Sequence, residues 1–363
     1  PIRGHSNVQG QRTVGITEKL ELIPHKKFEE FYGFTVPKEK GLDTVEACQG
    51  IIDGSVKGFV CLGGNFSRAV PETGLVEENW GKMRLNVQIS TKLNRNHLLT
   101  CEKTYILPCL GRLERDAQNG VDQIVSVEDS TACIHASYGK TEPASRELLS
   151  EPKITAELAK ATVAGRSTVP WDQWAADYRL VRDAIERAYP ADFKDFNARM
   201  GTPGGFHRDI GATKREWRTE TKKANFLVPE SFDVDPDIDT TRPDVLKLLT
   251  IRSNDQFNTT VYGYDDRLRG VKGTRMVILM NEADMRRLGL TDQDRVDIET
   301  HTDDGVTRRV ENYRVHAWQL PKGNCAGYYP ELNALIPLWH HSRRAHVPAA
   351  KSVPVRILKR QAT

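Results

Sequence analysis

The chain contains no Cys-x-x-Cys pair and no His-Glu-x-x-His, although it holds six cysteines and ten histidines. Zinc ribbons, iron–sulfur clusters held by these residues alone and helical zinc-hydrolase sites are therefore not expected. No apolar run approaches the roughly 20 residues that a membrane-spanning helix needs. Glycine-rich phosphate loops of the G-x-G-x-x-G and G-x-x-x-x-G-K-[ST] kinds are also missing. Charge of one sign is not in excess. Against 52 Lys and Arg stand 49 Asp and Glu, a net +3, too little to call for nucleic acid or a membrane surface as partner. Cys48, Cys61, Cys101, Cys109, Cys133 and Cys325 read as reduced, mostly buried thiols of a cytoplasmic protein.

With 38% hydrophobic and 28% charged residues over 363 positions, the chain can build two or three domains with real cores. In TVEACQGII, Val45, Cys48 and Ile52 fall on one helical face. Phe59 to Leu62, a short apolar run between glycines, reads as a buried strand ending in Gly63-Gly64-Asn65. Further strands are expected at Leu85–Ile89, ending in Ser90 and Thr91, and at Tyr105–Leu107, ending at Pro108. Strands alternating with short helices suggest a parallel α/β sheet, with ligands at the strands' carboxyl ends. Residues 111–166 show no clear pattern. Ser167 or Thr168 is expected to cap a helix whose stripe of Trp171, Trp174, Tyr178, Val181, Ile185 and Ala188 is core. Residues 201–223 read as a loop and 229–244 as an acidic, proline-containing linker. His340, His341 and His346, near Arg343 and Arg344, read as a basic surface loop. From about residue 246 the texture is β-rich: 275–280, 295–300 and 306–317 read as strands, as does 351–358 at the end. A short helix capped by Asn281 and stopped by Gly289 lies among them. A barrel follows.

The opening Arg3–Gly10, RGHSNVQG, reads as a polar loop or as a backbone able to hold a polar ligand. It resembles RGQNNVQG of formate dehydrogenases. FVCLGGNFSRAVPE is similar to their nucleotide-holding strand and loop. LNVQISTKLNRNHLLTCEKTYILP resembles the next strand, helix and strand end. MVILMNEADMRRLGLTDQDRVDIET, GYYPELNALIPL and AAKSVPVRI resemble the motifs of the family's closing domain. In this order the segments resemble the large subunit of molybdenum or tungsten oxidoreductases that carry bis-molybdopterin guanine dinucleotide, formate-dehydrogenase-like.

The resemblance implies an α/β fold: a partial dinucleotide-binding sheet over 1–120, a helical and loop connecting region over 121–245, and a double-psi β-barrel over 246–363. It implies that the chain is the C-terminal half of a subunit. The metal's cysteine or selenocysteine and any 4Fe-4S cluster would then lie in an N-terminal half outside it, and no residue here is nominated as a metal ligand. Partners would be that half, a small-molecule substrate and an electron-transfer subunit.

By resemblance, Arg3 holds a substrate carboxylate, for which a guanidinium fork is suited. His5 stands where the family has Gln, so this segment does not fix formate as the substrate. His5 would carry a proton, or hydrogen-bond the pterin or a nearby loop. Gly63, Gly64, Asn65, Gln88, Ser90, Thr91 and Pro108 would bind one nucleotide. Arg252, Ser253, Gln256, Asn258, Tyr329, Asn333 and Lys351 would line the cofactor from the barrel. In WRTETKKANFLVPE, Glu220-Thr221-Lys222 replaces the family's Ser-Gly turn. Two rival readings are oxyanion or sulfoxide reduction on the same cofactor, and a non-catalytic cofactor-binding or docking protein.

Overall fold

The computed structural model describes residues 8–360 apart from 18–19, 164, 212, 227, 229–241, 260 and 344. Arg3, His5 and most of the expected 229–244 linker lie outside the described residues. The chain divides into two compact units, each made of two stretches: 1–41 with 108–228, and 42–107 with 229–363. No described helix is long and apolar enough to cross a membrane.

In the unit built from 42–107 and 229–363, six strands close a barrel in the order 277–280, 309–317, 295–300, 353–359, 246–251 and 324–328. Two pairs are parallel, 277–280 with 309–317 and 324–328 with 246–251; the other four are antiparallel. Alternation fills the interior. Leu246 and Leu248 on one strand, Val296 and Ile298 on another, and Val353 and Val355 on a third join one cluster with Ile278, Met280 and Leu335. Each such side chain contributes about 1.5–3 kcal/mol by leaving water. The helix Glu282–Arg287 is capped as expected, Asn281 Oδ1 accepting from the Ala283 N–H at 2.8 Å. Gly289 then takes the left-handed conformation at φ 66°. Strand 324–328 has no sequence-based counterpart. Its Gly327 packs so tightly that a Cβ would stand 2.3 Å from Leu332 Cδ1 and 2.9 Å from Val277 O, so the neighbouring turn requires glycine there.

A register shift separates Val296 from Ile298 where 295–300 pairs with 309–317. Asp297 holds it. Its carboxylate accepts from the Asn312 N–H at 2.9 Å, from Arg309 at 2.6 Å and from Arg360 at 2.6 Å. Burial pushes this carboxyl up, but the three donors outweigh it and lower it to about 2. Asp297→Asn is therefore expected to lose about 1–3 kcal/mol at neutral pH. Because the folded-state pKa lies below that of the open chain, the difference from wild type is present in full above about pH 4 and closes as pH falls toward about 2. Urea melts of both proteins between pH 2 and 7 measure it; a gap independent of pH would contradict this role.

The same unit carries a three-stranded sheet in the order 58–62, 85–90, 103–108. The first two strands are parallel, Phe59 facing Asn86 and Cys61 facing Gln88. Helix Thr44–Asp53 packs beside it, opened by an Asp43–Glu46 capping box. Val45, Cys48, Ile51, Val76 and Trp80 form the core there. Ile52, half-buried, packs against this core with Val45 and Cys48 as expected, and Ile51 is buried there too. One expectation needs correction. Strand 58–62 is not buried: as the outermost of three strands it leaves Val60 58% and Leu62 55% exposed.

In the unit built from 1–41 and 108–228, strands 125–128, 133–137 and 206–207 form an antiparallel sheet. Ile134, Phe193, Phe196 and Met200 pack as its core. Helix Glu151–Val163 occupies part of the stretch that showed no pattern. The expected aromatic helix is two helices, Trp171–Ala176 and Tyr178–Ala188. Pro170 precedes the first, and Asp177 caps the second by accepting from Arg179 N–H. Ser167 and Thr168 are not caps. Tyr178 and Ala188 are buried, and Ala188 lines a cavity of about 1020 Å³ together with Trp171, Trp174, Val181 and Ile185. The stripe is core only in part, because residues from both helices line this cavity.

All six cysteines are free, and Cys48, Cys109 and Cys325 are buried. Burial raises the Cys48 thiol to about 12, which keeps it protonated and unreactive. His340 is also buried, at 3% exposure, and so does not belong to a surface loop. It follows Leu338, which packs into the helix core beside the sheet.

Candidate functional site

Strands 246–251 and 324–328 run parallel, with Ile251 opposite Tyr328, so their carboxyl ends emerge side by side. Arg252, Ser253, Gln256 and Asn258 follow the first strand, and Tyr329 follows the second. Strand 353–359 runs antiparallel to 246–251. This places Lys351 at the same end, where its Nζ donates to the Thr250 carbonyl.

The loop is held by its own amides. Gln256 Nε2 donates to Asn258 O and Tyr329 O, both at 2.8 Å, and its Oε1 accepts from Ser253 N–H at 2.9 Å. Arg252 Nη2 donates to Asn258 Oδ1 at 3.0 Å, and its guanidinium carbon lies 5.8 Å from the Tyr329 ring centroid. Among the described residues neither Arg252 nor Lys351 is in an ion pair with a carboxylate. Lys351 is held below its ordinary value, by burial first and then by the charge of Arg252. Two cations that repel each other across a loop rich in polar groups favour a polyanion between or above them.

The second group of candidates lies beside the first. Gly63 and Gly64, at φ 69° and 80°, end strand 58–62, with Gly63 N–H donating to Ile89 O at 2.8 Å. Among the described residues, no atom lies within 4 Å of where a side chain would begin on either glycine. Asn65 Nδ2 donates to Thr259 O at 3.3 Å, joining this loop to the barrel loop. Among the described residues, Asn65 Oδ1 and Ser67 Oγ are buried without a hydrogen-bond partner. Asn333, in the 3-10 turn Glu331–Leu335, is buried and donates to Arg68 O at 2.8 Å.

The remaining candidates have other surroundings. Gln88 sits in a buried chain of amides, donating to Asn86 Oδ1 at 2.6 Å and accepting from Asn96 Nδ2 at 3.4 Å. Ser90 donates to Lys92 O at 2.8 Å, and Thr91 is exposed. Pro108 ends the third strand of the sheet, exposed. Sequence reasoning missed Asn94, whose Nδ2 donates to Gly64 O at 2.7 Å and fixes the open turn. Its place among polar residues in KLNRNH carried no periodic signal. One group of potential metal ligands lies close together among the described residues: Asp43, Glu46 and His346, with ligand atoms within 4.8 Å. Asp43 and Glu46 already serve the helix cap there.

The residues define a barrel protein with a cationic, amide-rich end facing an open diglycine loop, suited to a large, polar, anionic ligand such as a dinucleotide. Residues 246–354 match the family model described as Molydopterin dinucleotide binding domain. An uncharacterized oxidoreductase of Mycobacterium tuberculosis is 44% identical over 367 residues, covering 98% of this chain and 46% of that protein. Protein YdeP of Escherichia coli K12 is 40% identical over 359 residues, covering 98% of this chain and 47% of that protein. The chain thus spans about half the length of the curated relatives it matches. Acetylene hydratase from Pelobacter acetylenicus shares the fold, with a TM-score of 0.56 at 14% identity, covering 93% of this chain and 50% of that chain. Residues 246–354 thus carry a molydopterin dinucleotide binding domain, in a chain that is similar over nearly all its length to about half of an uncharacterized oxidoreductase.

Proposed function

We propose that this chain is the C-terminal half of a molybdenum or tungsten oxidoreductase subunit that carries bis-molybdopterin guanine dinucleotide and oxidises formate or a similar small anion by two electrons. The observation that carries the reading is the pair Arg252 and Lys351, two cations without carboxylate partners among the described residues at one end of the barrel. The donor set fits the cofactor. Arg252 and Lys351 would meet phosphate, and the uncrowded backbone at Gly63 and Gly64 would let it approach closely. The unpartnered Asn65 Oδ1 would accept from a nucleotide N–H. When bound, the cofactor supplies the two-electron redox chemistry. The chain's own residues bind and orient it: Gln256 holds the barrel loop to Tyr329, and Asn65 holds the diglycine loop to Thr259.

On this reading the barrel is of the double-psi kind and the three-stranded sheet is part of a larger parallel one. Parallel sheets are ordinarily covered on both faces, and the bare Val60 and Leu62 accord with a missing cover. Relatives of about twice the length supply the room for it. The metal ligand, any 4Fe-4S cluster and the electron-transfer contact would lie in that other half. Arg3 would sit against the substrate carboxylate, with His5 near it. The free cysteines accord with a reducing, cytoplasmic setting.

The test compares substrates on the full-length protein with an artificial electron carrier. Formate oxidation is expected. Turnover of nitrate or a sulfoxide without formate activity would move the reading to oxyanion or sulfoxide reduction. No turnover of either by protein loaded with cofactor would favour a docking role. The 363-residue chain by itself is expected to be inactive.

A further inference from the structure

Arg275 is 3% exposed, and no candidate set included it. It precedes strand 277–280, inside the barrel unit. All three of its guanidinium nitrogens donate, to acceptors on two separate segments, 253–256 and 329–331. Nη1 donates to Ser253 Oγ at 2.7 Å, and Nη2 to Gln256 Oε1 at 3.1 Å, both on the loop after strand 246–251. Nη2 also donates to Tyr329 O at 2.9 Å, after strand 324–328. Nε donates to Glu331 Oε1 at 2.6 Å and Nη2 to Glu331 Oε2 at 3.1 Å, at the head of the turn that holds Asn333. Its faces are covered by the rings of Tyr262 at 4.1 Å and Tyr328 at 4.9 Å. Arg275 therefore touches Ser253, Gln256 and Tyr329 directly. Through Gln256 it also reaches Asn258, whose carbonyl accepts from the same amide.

This is more apparatus than charge neutralisation needs. One carboxylate, Glu331, already balances the guanidinium. The remaining donors go to residues whose positions set the spacing between the loop after strand 246–251 and the turn after 324–328. A buried, planar fork bonded on both sides fixes that spacing before any ligand arrives. Affinity then rises because the loops need not be ordered on binding. We infer that Arg275 is the positioning residue that presets the dinucleotide-binding face of the barrel, acting through Ser253, Gln256 and Tyr329 without itself contacting the ligand. The inference rests on the cofactor reading given above.

Lysine keeps the charge but offers its donors from one point, so it cannot span Ser253, Tyr329 and Glu331 together. The experiment measures guanine released per chain, and the rate of guanine loss on dilution, for full-length wild type, Arg275→Lys and Glu331→Gln. Arg308→Lys serves as the control. Arg308 is an equally buried arginine of the same unit, paired with Glu72 and Asp304 and not with the barrel loop. Thermal midpoints are recorded on each sample. Arg275→Lys is expected to lose guanine at least tenfold faster than wild type. Arg308→Lys, at a similar thermal midpoint, is expected to keep it. Glu331→Gln, which leaves the arginine in place but loosens one side of its cage, is expected to fall between them. Guanine loss that tracks thermal midpoint equally in the two arginine variants would reduce Arg275 to a stability residue and overturn the inference. Should Arg275→Lys fail to fold, Glu331→Gln decides: guanine loss at the wild-type rate overturns it. Wild type without guanine would instead remove the cofactor reading, and the inference with it.

Discussion

Charge reversal at Arg252 and Lys351 together is expected to lower the guanine retained by the full-length protein more than a hundredfold. Each side chain supplies a charge-assisted bond to a phosphate oxygen, worth about 1.5–3 kcal/mol. Losing both accounts for the hundredfold, and the repulsion introduced by two glutamates adds to it. The barrel has little at stake in these groups. Arg252 bonds Asn258 and lies beside the Tyr329 ring, and Lys351 bonds one backbone carbonyl. The thermal midpoint is therefore expected to stay within a few degrees of wild type. Single reversals should each have a smaller effect, and raising the salt should weaken wild-type retention in the same direction. Guanine content measured by absorbance after acid release checks this. Retention unchanged by the double reversal would show that the phosphates lie elsewhere.

The second large effect concerns the pair that ties the helix layer of the barrel unit to its barrel. Glu72 and Arg308 are each 6% exposed. Arg308 Nε donates to Glu72 Oε1 at 2.9 Å, and the same oxygen accepts from Leu338 N–H at 3.1 Å. Asp304 takes the other side of the guanidinium, at 2.7 Å from Nη2, and also accepts from Trp339 Nε1 at 2.7 Å. Removing one partner of such a buried pair leaves an uncompensated charge and an orphaned N–H. Glu72→Ala is expected to cost about 3–5 kcal/mol, toward the lower value because Asp304 remains. Glu72→Leu combined with Arg308→Met removes both charges and should recover a large part of that loss. Urea midpoints of the two variants test the pair. A loss below about 1 kcal/mol for Glu72→Ala would mean that water reaches the site and screens it.

Strands and caps with a local physical signature were legible in the sequence. Asn281 and Gly289 bracket their helix as expected, and strands 295–300 and 353–359 follow from alternation. Strand 324–328 did not show, because NCAGY carries a glycine where a strand former would ordinarily stand. Only the close approach of Leu332 and the Val277 carbonyl explains that residue. The break at Asp177 was hidden because the apolar spacing continues across it while the capping bond interrupts the helix. The contiguous blocks 1–120 and 121–245 could not display units assembled from two separated stretches each. Pairing across some two hundred residues leaves no periodic trace.

At the candidate site the same division holds. Gly63, Gly64 and Asn65 were visible as a strand-ending turn, and the structure places Asn65 against Thr259. Gln88 was visible as a polar residue at a strand end, but its amide is engaged with Asn86 and Asn96. Arg275 was invisible. In KGTRMVILM it looks like one more surface charge, and only the fold turns it inward against Ser253, Tyr329 and Glu331.

The measurement that bears most directly on the account is the metal and guanine content of the natively purified protein, with the polypeptide mass taken on the same sample. The account expects molybdenum or tungsten with about two guanine nucleotides per metal, on a chain roughly twice the length of this one. Neither metal nor guanine, on a natively purified chain no longer than 363 residues, would contradict it and leave a barrel that has kept the fold without the cofactor.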